Sequence, residues 1–229
     1  MEQFPTVRPN EPARIVRDVF TSPQENGGGY VARALAVGLN NGHNVLFDLD
    51  RFTLREWTFG DFARQRTEGK SWYWDLASVP VMNGFTTDSD FALRLKGQLD
   101  APLIVPRQVR NTVGRLLWYR NAGQGVELAY ELSFQVPQGE QTVRVEELIE
   151  PIISRPQGKP VRTGWRRTLQ FSHVPAGYEV LVARNDRNEL VGEPAVSSPV
   201  EESSPPFLWA RAVAGKIDLT YLTTLARPE

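Results

Sequence analysis

Between residues 30 and 60 the chain alternates side-chain character with a period of two, three times over, and each run stops at a turn-forming cluster. In the first run Val31, Arg33, Leu35 and Val37 share one face, and the small Ala32, Ala34, Ala36 and Gly38 share the other. Leu39-Asn40-Asn41-Gly42 supplies an Asn-Gly turn, where positive φ is reached cheaply. Val45, Phe47 and Leu49 resume the pattern, Asp48-Leu49-Asp50-Arg51 turns the chain again, and residues 54–59 return. Successive strand side chains point to opposite faces, so this spacing predicts a three-stranded β-meander.

The second half repeats the signal. In residues 126–136, Val126, Leu128, Tyr130, Leu132, Phe134 and Val136 form one face. Glu127, Ala129, Glu131, Ser133 and Gln135 form the other, the pattern of a strand with one side buried and one wet. Pro137-Gln138-Gly139-Glu140 is a turn and 141–145 pairs back, so 126–147 reads as a hairpin. The run 146–151 (EELIEP) breaks the alternation, which predicts a bulge or a strand end. Shorter strands are predicted over 14–20, 91–95, 115–120, 165–174 and 178–183, with 207–213 and 217–222 as a closing hairpin across Ala214-Gly215-Lys216. Only 61–70 offers room for a short helix.

Residues 1–29, rich in proline and glycine, read as an N-terminal arm and loop. Residues 30–229 read as one domain, with room for a sub-boundary near 83–110. Residues 194–206 (PAVSSPVEESSPP) have the lowest complexity and are predicted to be exposed, with 197–205 the first site to be nicked by protease. Many short strands separated by turns predict an all-β fold, a large β-sandwich of mostly antiparallel strands and hairpins.

Composition removes several function classes. Lys and Arg total 26 against 27 Asp and Glu, a net charge of −1, so no field exists to gather nucleic acid or anionic lipid. The absence of cysteine excludes disulfides, thiolate metal sites, a cysteine nucleophile and covalent haem attachment through Cys-x-x-Cys-His. No apolar run approaches the length of a membrane span. The opening MEQFPTVRPNEP lacks a signal-peptide pattern, so the chain is expected either to stay inside the cell or to be a mature piece whose leader lies elsewhere.

The candidate chemistry is sparse. Trp72, Tyr73 and Trp74 are consecutive, and alternation puts the two indoles on one face. Such a pair suits stacking on a sugar ring; capping the end of a core is its more ordinary place. His43 follows a turn and is expected to be exposed, whereas His173 shares a face with Leu169 and Phe171 and is expected to be a hydrogen-bonded structural residue. Asp48 and Asp50 are expected to fix their turn through side-chain hydrogen bonds to the backbone. Asp88 and Asp90, in the run 86–90, read as a solvated turn. Arg162, Arg166 and Arg167 offer an anion site, with solvation as their ordinary state. Glu146, Glu147 and Glu150 hold carboxylates that a glycosidase would need, as do Asp48 and Asp50, but such pairs are common. No metal-ligand spacing and no nucleophile elbow appear, so neither a metal nor a cofactor is expected.

Residues 32–62 (ARALAVGLNNGHNVLFDLDRFTLREWTFGDF) resemble the opening of a β-rich module of large multidomain proteins of planctomycete-type bacteria. The shared phrases are a strand ending in AVGL, a turn, FD, and a strand carrying Trp57 in LREWTFGDF. RLLWY at 115–119, the strand at 126–134, VRVEELIEP at 143–151 and WRRTL at 165–169 are similar to later strands of that module, in the same order over most of 30–174. Those proteins combine haem-c domains with a propeller of the sugar- or sorbosone-dehydrogenase type. This chain lacks both the haem motif and a propeller repeat. The resemblance therefore implies a companion module of an exported redox or sugar-processing system, located outside the cytoplasm, rather than its redox centre.

The expected function is a non-catalytic accessory or binding module, with a protein or a carbohydrate as its partner. The alternative is a carbohydrate-binding module or carbohydrate-active enzyme using Trp72 and Trp74 with a nearby carboxylate. Trp57, Trp72, Tyr73 and Trp74 are the candidate contact residues. Buried indoles would favour scaffolding, and a solvent-lined groove with acidic residues would favour sugar chemistry.

Overall fold

The computed structural model describes residues 3–22, 29–83, 89–155, 161–184, 188–190, 196–197 and 208–225, and among them there is no helix. The fold is all-β, with strands in three sheets. The first sheet holds β1 (Gln3–Phe4), β2 (Arg14–Ser22), β3 (Gly29–Gly38), β4 (His43–Asp48), β5 (Thr53–Phe59), β6 (Ala63–Glu68), β7 (Ser71–Leu76) and β8 (Val79–Asn83). Its order is β1-β6-β7-β2-β3-β4-β5-β8. The second contains β10 (Gly114–Ala122), β11 (Gly125–Val136), β12 (Gly139–Ser154), β13 (Arg162–Ser172), β18 (Lys216–Thr223) and β15 (Asn188–Leu190), in that order. The third runs β16 (Val196–Ser197), β17 (Leu208–Arg211), β14 (Tyr178–Arg184) and β9 (Phe91–Leu95). Among the described residues every strand pairing is antiparallel except β2 with β7, which meet in parallel at Phe20 and Trp74.

The predicted meander is β3, β4 and β5, in register with Val37 opposite Val45 and Val45 opposite Trp57. Its strands are buried on both sides. Leu35, Val37, Val45, Phe47 and Trp57 enter a main core shared by all three sheets. Ala34, Ala36 and Leu46 enter a second core inside the curl of the first sheet, with Phe20, Phe62, Trp74 and Leu76. Close approach explains the small residues: a Cβ on Gly38 would stand 2.6 Å from Cγ of Phe62. Asp48 Oδ1 accepts the backbone N–H of Asp50 at 2.8 Å and of Arg51 at 3.2 Å, so this carboxylate fixes the turn as its position predicts. At the other turn the Asn41 amide leaves its own sheet and donates to the Gly164 carbonyl of β13 at 2.6 Å.

The 126–136 strand has the predicted polarity, with Val126, Leu128, Tyr130, Leu132, Phe134 and Val136 all buried in the main core. Elsewhere the structure corrects the expectation. β12 continues unbroken through 146–151, because its ladder to β13 runs from Arg144 to Ser154. Pro151 is tolerated because β11 stops opposite Ile149, leaving β12 one neighbour at that point. The stretch 61–70 is a hairpin, β6 and β7, not a helix. Gln3–Phe4, within the residues read as an arm, is a strand of the first sheet, whereas Arg14–Ser22 is the strand predicted over 14–20. The closing hairpin is a crossing between sheets: β17 belongs to the third and β18 to the second, and the turn is closed by Val213 and Lys216 bonding in both directions at 2.9 Å. Ala214 at φ 50° and Gly215 at φ 76° give that turn the left-handed pair a two-residue loop needs. Most of the low-complexity stretch 194–206 lies outside the described residues; Val196–Ser197 pair with β17.

Candidate functional site

The four candidate aromatics separate into distinct environments. In the β6–β7 hairpin, Trp72 pairs with Thr67, Tyr73 with Arg66 and Trp74 with Gln65, so the two indoles do share a face. Burial then divides them: Trp74 is 5% exposed and Trp72 62%. Trp74 stacks on Phe4 at 5.3 Å and Phe20 at 6.3 Å, and its Nε1–H donates to Asp18 Oδ2 at 3.1 Å. On the opposite face Tyr73 meets Tyr30 edge-on at 5.4 Å, and the Tyr30 hydroxyl donates to Glu68 Oε2 at 3.1 Å. That hydrogen bond to a carboxylate holds the Tyr30 phenol above its ordinary range. Trp72 on one face, and Tyr73 with Tyr30 on the other, put aromatic rings on both sides of this hairpin end, the aromatic tip of the first sheet.

Trp57 lies at the centre of the main core, edge-on to Trp165 at 6.3 Å and Tyr221 at 6.0 Å. Its Nε1–H donates to His43 Nδ1 at 3.0 Å. The His43 proton is thereby placed on Nε2, which faces the Thr163 hydroxyl at 2.8 Å. His43 is fully buried, contrary to its expected exposure, because β4 continues its apolar face with His43, Val45 and Phe47. His173 is the exposed histidine: it follows the last residue of β13 at φ 59°, which ends the alternation before it reaches the core.

A buried polar assembly forms around Arg167 and Asp90, both expected to be solvated. Arg167 is fully buried on the apolar face of β13, where its Nη1 donates to Asp90 Oδ2 at 2.7 Å and its Nε and Nη2 grip the two oxygens of Glu147. The Tyr130 hydroxyl donates to Glu147 Oε2 at 2.6 Å, and Asp90 also accepts the Thr53 hydroxyl at 2.6 Å and the Leu54 backbone N–H at 3.1 Å. The guanidinium sits 5.3 Å from the Phe47 ring and 5.5 Å from Phe91. Burial pushes the Asp90 carboxyl up, against the pull of Arg167 and Thr53. Burial also works against the Arg167 charge, but Glu147 and Asp90 outweigh it and hold the guanidinium above its ordinary range. Thr53 belongs to the first sheet, Tyr130, Glu147 and Arg167 to the second, and Asp90 immediately precedes β9 of the third, so one charge cluster ties three sheets. Asp90 and Arg167 are therefore structural, not solvated. The signal was present in the period: position 167 falls on the face of Trp165, Leu169 and Phe171, and 147 on that of Val145 and Ile149.

A further buried carboxyl is Glu56. Register places it opposite Leu46, facing the second core, at 4% exposure. Burial and then the nearby Asp75 charge push it up to about 7. Arg64 and Arg66 are engaged with Asp75 instead, at 2.8 and 2.9 Å.

Among the crevices that the described residues form are two of similar size. One, of about 540 Å³, lies between the start of β2 and the edge strand β10, with Phe4, Phe62, Tyr119, Arg14 and Arg120 in its wall. The other, of about 490 Å³, is lined by residues of β13, β14 and β17. None of Trp57, Trp72, Tyr73 and Trp74 lines either. Among the described residues no group of three His, Asp or Glu side chains is placed to hold a metal ion, and no helix is long and apolar enough to cross a membrane. Comparison with protein-family models, curated proteins and solved structures finds no match to this chain.

Proposed function

We propose that this chain is a non-catalytic β-sandwich binding module, the accessory part of an exported redox or sugar-processing system, and that its contact surface is the aromatic tip around Trp72. The observation that carries the reading is selective exposure. Trp57, Trp74, Trp165 and Trp209 are buried and Trp118 is half-buried beneath Arg120, while Trp72 alone of the six tryptophans is mostly in water. An exposed indole on a short hairpin suits either a protein hot spot or a sugar face. The non-catalytic part of the reading is supported by where the fully buried perturbed groups are. Asp90, Tyr130 and Arg167 are fully buried and bonded within one cluster, so they serve cohesion of the scaffold rather than a cleft.

The test is a fluorescence titration of the purified chain with a panel of neutral oligosaccharides, alongside capture assays with a propeller-type dehydrogenase domain. Binding to either should weaken roughly tenfold or more in Trp72→Ala. Stability of that variant should stay within about 0.5 kcal/mol, since the side chain is mostly exposed. Unchanged binding in Trp72→Ala would remove the tip as the contact surface. Turnover of a glycan would overturn the non-catalytic reading.

A further inference from the structure

β10 (Gly114–Ala122) is the outer strand of the second sheet, hydrogen-bonded to β11 on one side and, among the described residues, to no strand on the other. The hairpin that joins these two strands fixes which backbone groups of β10 are left over. Ala122 pairs with Gly125 across a two-residue turn, Gly123–Gln124, and a turn that short closes with both hydrogen bonds of that pair made. Antiparallel pairs alternate from there. Arg120 and Trp118 therefore bond to Glu127 and Ala129, while Tyr119 and Asn121 turn their N–H and C=O away from the sheet. Those four groups have no partner among the described residues. The bulge between Leu116 and Trp118 ends the regular edge, so 118–122 is the stretch able to take a further strand.

The same two residues open onto the crevice of about 540 Å³. Tyr119 and Asn121 stand opposite Leu128 and Val126 of the main core, so their side chains lie on the core-facing side of the sheet. Phe4, Ala13, Ile15 and Phe62 line the wall across from them. The charges on that wall, Glu11 and Arg14, are engaged with each other at 3.1 Å. Arg120 points to the other side, where its side chain is 68% exposed. It gives Nε and Nη2 to one oxygen of Glu127, and its Nη1 has no hydrogen-bond partner among the described residues. A strand laid along this edge meets an apolar crevice at its residues opposite Tyr119 and Asn121, and a guanidinium at the residue between them.

We propose that β10 docks an extended peptide of a partner protein as an added strand, and that the peptide reads apolar–acidic–apolar at its three central positions. Its backbone takes the four outward groups of Tyr119 and Asn121, its two apolar side chains enter the crevice, and its carboxylate sits across from Arg120. A second copy of this chain fits the edge poorly. The two-fold pairing that uses all four groups sets Tyr119 against Asn121 and Arg120 against Arg120, like charges directly opposed. Trp72 lies on β7 and outside this crevice, so the inference is independent of the aromatic tip.

The experiment is amide hydrogen exchange followed by NMR on the full chain, with a capped peptide whose centre is valine–glutamate–valine between threonines. In the free chain the amides of Tyr119 and Asn121 should exchange fast and those of Trp118 and Arg120 slowly. Adding the peptide should slow Tyr119 and Asn121 saturably. The same peptide N-methylated at its two valines keeps the side chains and loses the donors that face β10, and it should bind roughly tenfold or more weakly. Lysine in place of the glutamate should weaken binding by up to about fivefold, and Arg120→Glu, a change at an exposed side chain, should reverse that preference. Exchange at Tyr119 and Asn121 that the peptide leaves unchanged would overturn the proposal, as would equal binding of the N-methylated peptide. Protection at both residues that grows with the concentration of the chain alone would also overturn it, by assigning the edge to a second copy. Trp72→Ala should bind the peptide like the unmodified chain.

Discussion

Replacing Arg167 with methionine should destabilise the fold by roughly 3–5 kcal/mol, the cost of leaving buried carboxylates without their cation. Arg167 is 1% exposed, as a side chain, between Asp90 at 0% and Glu147 at 1%, so water cannot replace the lost partner without opening the core. Methionine fills much of the volume, so most of the effect is electrostatic rather than a cavity. Urea unfolding gives the value. The decisive comparison removes the charges together: Arg167→Met combined with Glu147→Gln and Asp90→Asn should recover a large part of the loss, because no unpaired charge is then buried. A single substitution costing less than about 1 kcal/mol would mean that the cluster is solvated and does not tie the sheets. If the single variant fails to fold, the triple variant carries the test, since it should fold and unfold cooperatively.

The cluster also explains why the fold was legible in the sequence while its polar interior was not. Strand positions follow from local alternation: the meander, the 126–136 strand and β9 are where the pattern of two puts them. Asp90 sits two residues from the run 84–88, outside the described residues, in a stretch whose composition reads as a turn. Its burial depends on Thr53, Leu54 and Arg167, 36 to 77 positions away, and no local pattern reports such partners. Arg167 and Glu147 were different, for each interrupts an apolar face. A charged residue at a core position predicts either a solvated gap or a buried partner of opposite sign, and two such interruptions of opposite sign on neighbouring strands predict each other. The division of Trp72 from Trp74 was beyond reach for another reason. Both lie on one face of one strand, and only the docking of Phe4 and Phe20 over Trp74 decides which indole is covered.

The stability of the first sheet should fall as pH rises from about 4.5 through 7, and Glu56 is the cause. Its carboxyl is pushed from 4.5 to about 7 in the folded chain, first by burial and then by Asp75. A raised folded value means that between the two numbers the unfolded chain releases this proton while the folded chain keeps it. Stability from the protonated group is therefore complete below about 4.5 and is lost as pH passes through about 7. The full shift corresponds to a loss of roughly 3 kcal/mol. Other carboxylates titrate over the lower part of this window, so the measurement is the difference between the chain and its Glu56→Gln variant. Glutamine has nearly the same shape and no charge. The variant should be close to the unmodified chain in stability at pH 4 and progressively more stable above pH 5, levelling off near pH 8. Asp75→Asn should shrink that advantage by removing the secondary repulsion, although it also releases Arg64 and Arg66. A stability difference that does not vary with pH would show that Glu56 is charged and solvated in the folded state.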